Sequence, residues 1–393
     1  MRIAWVTPYL PEPATSGGAI RQQRLARALS QRSEVHLFAR GELWEKPRLS
    51  RPELEVFASR WLGRDYLSPR PDGAPDSVPP ERVRRGSPRS LWRALQKAHE
   101  RVRFDGVVVA HSWAALGAKG SGLPWLLDEH NVESRFFADL ASAGAKGPAL
   151  ARDAFERWEQ AVWRDASAVT CVSEEDARRM TPHRSAAAAP LAAPLVVQNG
   201  ADLDRLARLP IEQRRGGVLF VGALHHRPNL LAALHLVEHI MPRVWRTLPE
   251  TRLTLVGGPV PMALNRAAAG APGPVQVLGR VPDVTPHLAS AQVFANPVTH
   301  GAGSSLKTIE CLAAGLPLVS TELGARGFSL LPGGHYLRAE TEDEFAAAIV
   351  LVLQAHQLAK PLPHAGRAHA ERFGWQALGD AFAHHVELTF RAS

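Results

Sequence analysis

Short apolar runs alternate along the whole chain with longer stretches whose apolar residues recur at helical spacing. A strand buried on both faces reads as an unbroken apolar run, so this alternation predicts parallel sheets with crossover helices, an α/β fold. In the N-terminal half, Ile3–Val6, Val35–Phe38, Val107–Ala110, Pro124–Leu127, Ala168–Val172 and Leu195–Gln198 are predicted strands. A second series starts at Gly217–Gly222 and continues through Arg252–Val256, Val275–Leu278, Val293–Ala295 and Leu316–Ser320. Two series predict two doubly wound domains, residues 1–200 and 201–374, joined near Asn199–Asp202 where a strand runs into a turn. Arg60–Ser90, rich in Pro, Arg and Gly, predicts little regular structure, and Ser185–Pro194 reads as a surface loop.

Composition narrows the class. With 45% hydrophobic and 21% charged residues in 393, the chain is globular and long enough for two cores. No apolar run approaches the roughly 20 residues of a membrane span, and prolines follow Met1–Val6 too soon for a signal peptide, so the cytoplasm is the expected location. Cys171 and Cys311 sit in apolar patterns without metal-ligand spacing, which argues against a disulfide framework or a zinc site. Lys and Arg number 46 against 38 acids, an excess too small to indicate nucleic-acid binding. Its distribution is uneven. Ser87–Val102 reads as a helix capped by Ser87, with Pro88 at its first position, Leu91, Leu95, Ala98 and Val102 on one face, and Arg85, Arg89, Arg93, Lys97 and Arg101 beside them. Such a stripe is either a solvated face or a contact for anionic headgroups.

The strongest chemical signal is Gly301-Ala302-Gly303-Ser304-Ser305-Leu306-Lys307-Thr308-Ile309-Glu310, a glycine-rich loop running into a helix. Small residues let backbone amides converge on an anion, the helix N-terminus adds its positive end, and Lys307 adds a full charge. Glu310, one turn on, offers a carboxylate to sugar hydroxyls, a combination suited to a nucleoside diphosphate and its ribose. An ordinary glycine-rich helix entry is the competing account. In the other predicted strand-to-helix turn, after Val218–Gly222, Arg227 precedes Pro228-Asn229 and is either a phosphate-facing cation or a solvated helix-start residue. In the first domain, Gly17 and Gly18 stand between strand one and a helix running to Leu29, as an anion-approach loop or a plain tight turn. His111 ends an apolar strand, where it is a packed residue or a contact to substrate. Asp128-Glu129-His130-Asn131-Val132-Glu133 follows the next strand, with Asn131 a candidate helix cap and His130, Asn131 and Glu133 candidate hydroxyl binders, Glu129 less so. Asp202-Leu203-Asp204 has an Asp-x-Asp form but falls in the linker, so no metal role is assigned.

The loop, the preceding Pro297–His300, the following Ala314–Thr321 and Gly324-Ala325-Arg326-Gly327 resemble the nucleotide-sugar site of the family 4 glycosyltransferases, in the subgroup with a Gly-x-Gly-x-x-x-Lys-x-x-Glu loop. The resemblance implies a GT-B fold, in which two Rossmann-like domains face each other across a cleft and the last helix, here Trp375–Phe390 within residues 375–393, returns to the first. It implies that Arg227 and Lys307 neutralise the donor diphosphate, that Gly301, Gly303, Ser304, Ser305 and Glu310 bind the donor, and that Gly17, Gly18 and Arg21 lie against the diphosphate or the acceptor. His111 then contacts the transferred sugar, and His130, Asn131 and Glu133 face the acceptor. Many relatives carry an earlier glutamate where this chain has Ala302 or His300. The activity implied is retaining transfer from a nucleoside-diphosphate-sugar to a saccharide or lipid-linked hydroxyl, in bacterial polysaccharide or glycolipid assembly, without metal or other cofactor. The enzyme would then work in the cytoplasm, peripherally on the inner face of the membrane. A nucleotide-sugar epimerase, a non-catalytic nucleotide-sugar binder and a nucleic-acid binder are the rivals.

Overall fold

The computed structural model describes residues 1–393 apart from 13, 15, 42–53, 61–82, 84–88, 143–147, 185–192, 213, 302, 355–360 and 393. The chain divides into two compact units, Met1–Gln198 with Gln376–Ser393, and Asn199–Trp375.

In the first unit, strands β1 (Arg2–Thr7), β2 (Glu34–Gly41), β3 (Leu54–Arg60), β4 (Gly106–Ala110), β5 (Trp125–Asp128), β6 (Ala168–Cys171) and β7 (Leu195–Val196) form one sheet in the order β3-β2-β1-β4-β5-β6-β7. Every pairing is parallel. In the second unit, β8 (Val218–Val221), β9 (Leu253–Val256), β10 (Val275–Gly279), β11 (Val293–Asn296), β12 (Leu318–Ser320) and β13 (Leu337–Arg338) run in the order β10-β9-β8-β11-β12-β13, again all parallel. Both orders reverse direction once, between β1 and β4 and between β8 and β11. A doubly wound sheet opens its ligand crevice at the carboxyl ends of the strands flanking that reversal.

The central strands are the apolar runs of the sequence: β4 and β9 are buried along their whole length. Two strands escape the sequence pattern. β3 lies where prolines and arginines dominate its neighbourhood, and β13 has only two residues, too few for a period to show. Leu195–Gln198 shortens to β7, and Leu316–Ser320 to β12, whose start lies after Pro317, a residue with no amide to donate. Arg60–Ser90 and Ser185–Pro194 fall largely outside the described residues.

The helix Trp375–Arg391 packs in the first unit through residues spaced by four. Phe382, Val386 and Phe390 are buried, Phe382 lies 5.7 Å from the Trp5 ring, and Arg32 pairs with Glu387. Gly106 accepts this helix closely, since a Cβ there would fall 2.6 Å from the Phe390 ring. The basic helix spans Arg89–Val102. Leu91, Leu95 and Ala98 are buried in the core of the first unit, while Arg93, Lys97 and Arg101 are exposed. Ser87, Pro88 and Arg85 lie outside the described residues. Among the described residues no helix is long and apolar enough to cross a membrane.

Candidate functional site

In the second unit the loop after β11 and the turn after β8 supply the site, at the two strands flanking the sheet's reversal. Gly301 and Gly303 adopt φ of 145° and 73°, a region that disfavours side chains. Arg326 holds the loop from beneath, its Nε donating to the Gly303 carbonyl (2.7 Å) and its Nη2 to that of Gly301 (2.8 Å). Two carbonyl oxygens that would repel an anion are thereby occupied. Asn199 Nδ2 donates to both the carbonyl and Oγ of Ser304 (3.1 Å each), and Gly327 lets the backbone approach, a Cβ there falling 2.4 Å from Ser304 Cβ. Ser305 sits at the N-cap of the helix Leu306–Ala313 in an extended conformation without a side-chain cap bond, so the helix offers first-turn amides to an outside acceptor. Below, Thr308 Oγ1 donates to the Gly324 carbonyl (2.7 Å) and Asn296 Nδ2 to the same oxygen (3.1 Å), tying the helix to the turn at Gly324.

Lys307 lies in the first turn of that helix. Its Nζ donates to Asn229 Oδ1 at 2.5 Å and stands 4.5 Å from the centre of the Phe220 ring. Burial pulls the ammonium down to about 7. Arg227 opens the helix Arg227–His235 and is exposed, and Glu310 lies half-buried one turn beyond Lys307. His300 meets the Thr299 hydroxyl at 2.8 Å, and Ala302 lies outside the described residues.

In the first unit the sequence-predicted residues gather after β1, β4 and β5. His111 is buried and directly follows β4 with φ 69° and ψ 138°, a combination outside the usual range of residues with side chains that costs on the order of 1–3 kcal/mol. Its Nε2 meets the Tyr9 hydroxyl at 2.9 Å, and its ring lies 3.9 Å from that of His130. His130 Nε2 bonds Asp128 Oδ2 (2.9 Å); burial lowers the imidazole's affinity for a proton although Asp128 opposes this. Arg21 grips Asp128 with Nη2 to Oδ1 at 2.6 Å and Nε to Oδ2 at 3.1 Å, and also donates to the Val197 carbonyl. Burial alone would raise the Asp128 carboxyl, but Arg21 and His130 hold it well below the ordinary carboxylate range.

Several placements differ from expectation. Gly17 and Gly18 are not a loop but the first residues of the helix Gly17–Ser30, behind an N-cap Ser16 whose Oγ accepts from the Ala19 amide. Gly18 is small because a Cβ there would sit 2.3 Å from the Tyr9 hydroxyl. Arg21 is fully buried on Asp128. The next helix, Glu133–Ser142, is capped by a residue that the sequence did not suggest: Glu159, from the helix Pro148–Asp165, accepts from the amides of Glu133 (2.5 Å) and Ser134 (3.1 Å) and from Ser134 Oγ (2.6 Å). Glu133 itself is 1% exposed, and Glu129 is buried between the Ser112 amide and the Trp163 indole, its carboxyl raised well above the ordinary value by burial and then by Glu159. Of this group only Asn131 is half-exposed. Sequence reading missed Tyr9, Asp128, Glu159, Asn229 and the bracing role of Arg326. Glu159 did carry a signal: with Phe155, Val162 and Trp163 it occupies an apolar stripe, where a charge demands a partner.

Comparison with known proteins bears on the whole arrangement. A model described as a glycosyl transferase 4-like domain matches residues 16–200, and one for glycosyl transferases group 1 matches residues 215–355. Curated relatives include phosphatidyl-myo-inositol mannosyltransferases of Mycobacterium tuberculosis, 29% identical over 194 residues (46% of this chain, 50% of the relative), and of Mycolicibacterium smegmatis, 27% identical over 190 residues (46% and 48%). The chain thus spans about half the length of the curated relatives it matches. Among solved structures, a sucrose-phosphate synthase from Thermosynechococcus elongatus aligns with TM-score 0.74 at 18% identity over 100% of both chains. Anabaena HepE in complex with UDP-glucose aligns with TM-score 0.70 at 14% identity over 99% of this chain and 100% of that one. At such identities the likeness speaks for the fold, and the α/β fold of GT-B type expected from the sequence stands.

Proposed function

Because the chain belongs to the group 1 glycosyltransferases, pairing a family 4-like domain with a group 1 domain, we propose that it moves a sugar from a nucleoside diphosphate to an acceptor hydroxyl, with retention and without a metal ion. One observation carries the donor assignment: a loop with two glycines in positive-φ conformations, its carbonyls taken up by Arg326, leads into a helix N-terminus beside Lys307. When the bond from the sugar's anomeric carbon to the diphosphate oxygen breaks, charge grows on that oxygen. Lys307, Arg227 and the first-turn amides supply the compensating positive charge. The acceptor oxygen then bonds the anomeric carbon on the face the diphosphate leaves, and its proton passes to the departing phosphate oxygen. Glu310 binds the donor ribose.

A lipid-linked acceptor suits the relatives that are named phosphatidyl-myo-inositol mannosyltransferases, and the exposed cations of Arg89–Val102 would hold the enzyme at an anionic surface. The test is a screen of UDP- and GDP-sugars for nucleotide release with and without lipid-linked sugars. Acceptor-stimulated release is expected. Lys307→Ala should keep its melting temperature and lose about a hundredfold in turnover, corresponding to about 3 kcal/mol of transition-state stabilisation. An epimerised sugar without nucleotide release, or near-wild-type turnover in Lys307→Ala, overturns the reading.

A further inference from the structure

The structure assigns to Asn229 a task that the sequence left to its neighbours: we infer that Asn229 is the positioning residue that aims the Lys307 ammonium at the donor diphosphate. The inference rests on the diphosphate reading of the Lys307 site.

Asn229 is the third residue of the helix Arg227–His235, and its backbone amide is tied to the His226 carbonyl at 2.9 Å, which fixes where the side chain starts. The amide group has one donor end and one acceptor end, and the structure determines which faces which way. Nδ2 donates to the Ala223 carbonyl at 3.1 Å, so Oδ1 is left to accept from Lys307 Nζ at 2.5 Å. A flipped amide would set its NH2 against the ammonium and its oxygen against the carbonyl, opposing like with like at both ends. Gly222, at the end of β8, makes room for this geometry, since a Cβ there would fall 2.9 Å from Asn229 Cγ.

Lysine needs such an anchor. Its four-carbon stem turns about several bonds, so an unheld ammonium samples many positions. The Phe220 ring, with its centre 4.5 Å from Nζ, supplies attraction but little direction. A neutral amide oxygen supplies direction without a negative charge that would compete with the phosphates. An aspartate of the same shape would hold the lysine as firmly and compete with the donor for it.

Binding of UDP and of GDP, followed by calorimetry between about pH 6 and pH 9, tests this with Asn229→Ala, Asn229→Asp and Lys307→Ala, each first matched to the parent by melting temperature. With the nucleotide that the parent binds, Asn229→Ala should weaken binding about tenfold and move the pH at which affinity falls to a lower value, because the ammonium has lost an acceptor. Asn229→Asp should also weaken binding but move that pH upward by a unit or more, because a carboxylate stabilises the ammonium. A purely structural asparagine would leave the pH profile in place. Parent-like profiles in both variants, with binding damaged in Lys307→Ala, overturn the inference alone. Parent-like binding in Lys307→Ala overturns the diphosphate reading and the inference together.

Discussion

At Lys307 two demands oppose each other. The site needs a cation, yet burial pulls the ammonium down to about 7 from its ordinary value of 10.5. The sign of the consequence follows from linkage: below about pH 7 the lysine is already protonated, and above it a diphosphate must bring a proton with it. Affinity for UDP or GDP should therefore fall as pH rises from about 7 to 9, by up to tenfold per unit, with matching proton uptake measured by calorimetry in buffers of different ionisation heat. Affinity independent of pH in this window would show that Lys307 does not meet the phosphates. His111 shows a second kind of residue-scale cost, backbone strain at a buried histidine, held in place by the Tyr9 hydroxyl and the His130 ring. Strain of this kind persists where the surroundings over-determine it, and it concentrates at functional sites.

At the scale of elements, helix ends take their caps from near and from far: Ser16 caps its own helix Gly17–Ser30, whereas the start of Glu133–Ser142 is capped from another helix. Glu159 satisfies three donors at the start of Glu133–Ser142, yet burial pushes its carboxyl up to about 8 from 4.5. Between those pH values the unfolded chain has released a proton that the folded chain retains, so this group's contribution to stability declines as pH rises from about 4.5 to 8 and is level above. Glu159→Gln lacks one acceptor oxygen and should be the less stable protein at pH 5, with the gap narrowing toward pH 8 in urea unfolding. A gap that widens with pH would contradict the assignment. The helix Arg89–Val102 is an element with one face already committed to the core, leaving Arg93, Lys97 and Arg101 outward. The protein should sediment with anionic vesicles at low salt, and the triple change to glutamine at these three positions should reduce that binding. Equal binding by the triple variant would return the stripe to a solvated face.

For the whole molecule, two sheets wound in the same order, the first with one strand more, carry the candidate residues beyond the carboxyl ends of β1, β4 and β5 and of β8 and β11. The last helix belongs to the first unit, although residues 199–375 separate it from the rest of that unit. Its seat depends on Gly106. Gly106→Val should displace Phe390, whose ring would lie 2.6 Å from the new Cβ, and lower the melting temperature by overpacking of about 1–3 kcal/mol. An unchanged melting temperature would mean that the helix contributes little to the unit.

Much of this was legible in the residues. Apolar runs such as Val107–Ala110 announce buried strands because burial on both faces is a property of the run itself. Gly301 and Gly303 announce a loop that needs positive φ because no other residue adopts it cheaply. The two-sheet architecture and the Lys307 loop followed from these local signals. Partnerships among polar groups did not. Arg21 meets Asp128 across 107 positions, Lys307 meets Asn229 across 78, and Arg326 meets the Gly301 carbonyl across 25. Periodicity tells which side chains leave water, but strand order and helix docking decide which of them meet, and an arginine expected at a diphosphate or an acceptor is the buried partner of an aspartate. The tertiary structure alone decided that Arg21 is buried against Asp128, that Glu159 caps the helix Glu133–Ser142, and that Asn229 stands against Lys307, because a buried charge or donor accepts whatever partner the fold brings within reach.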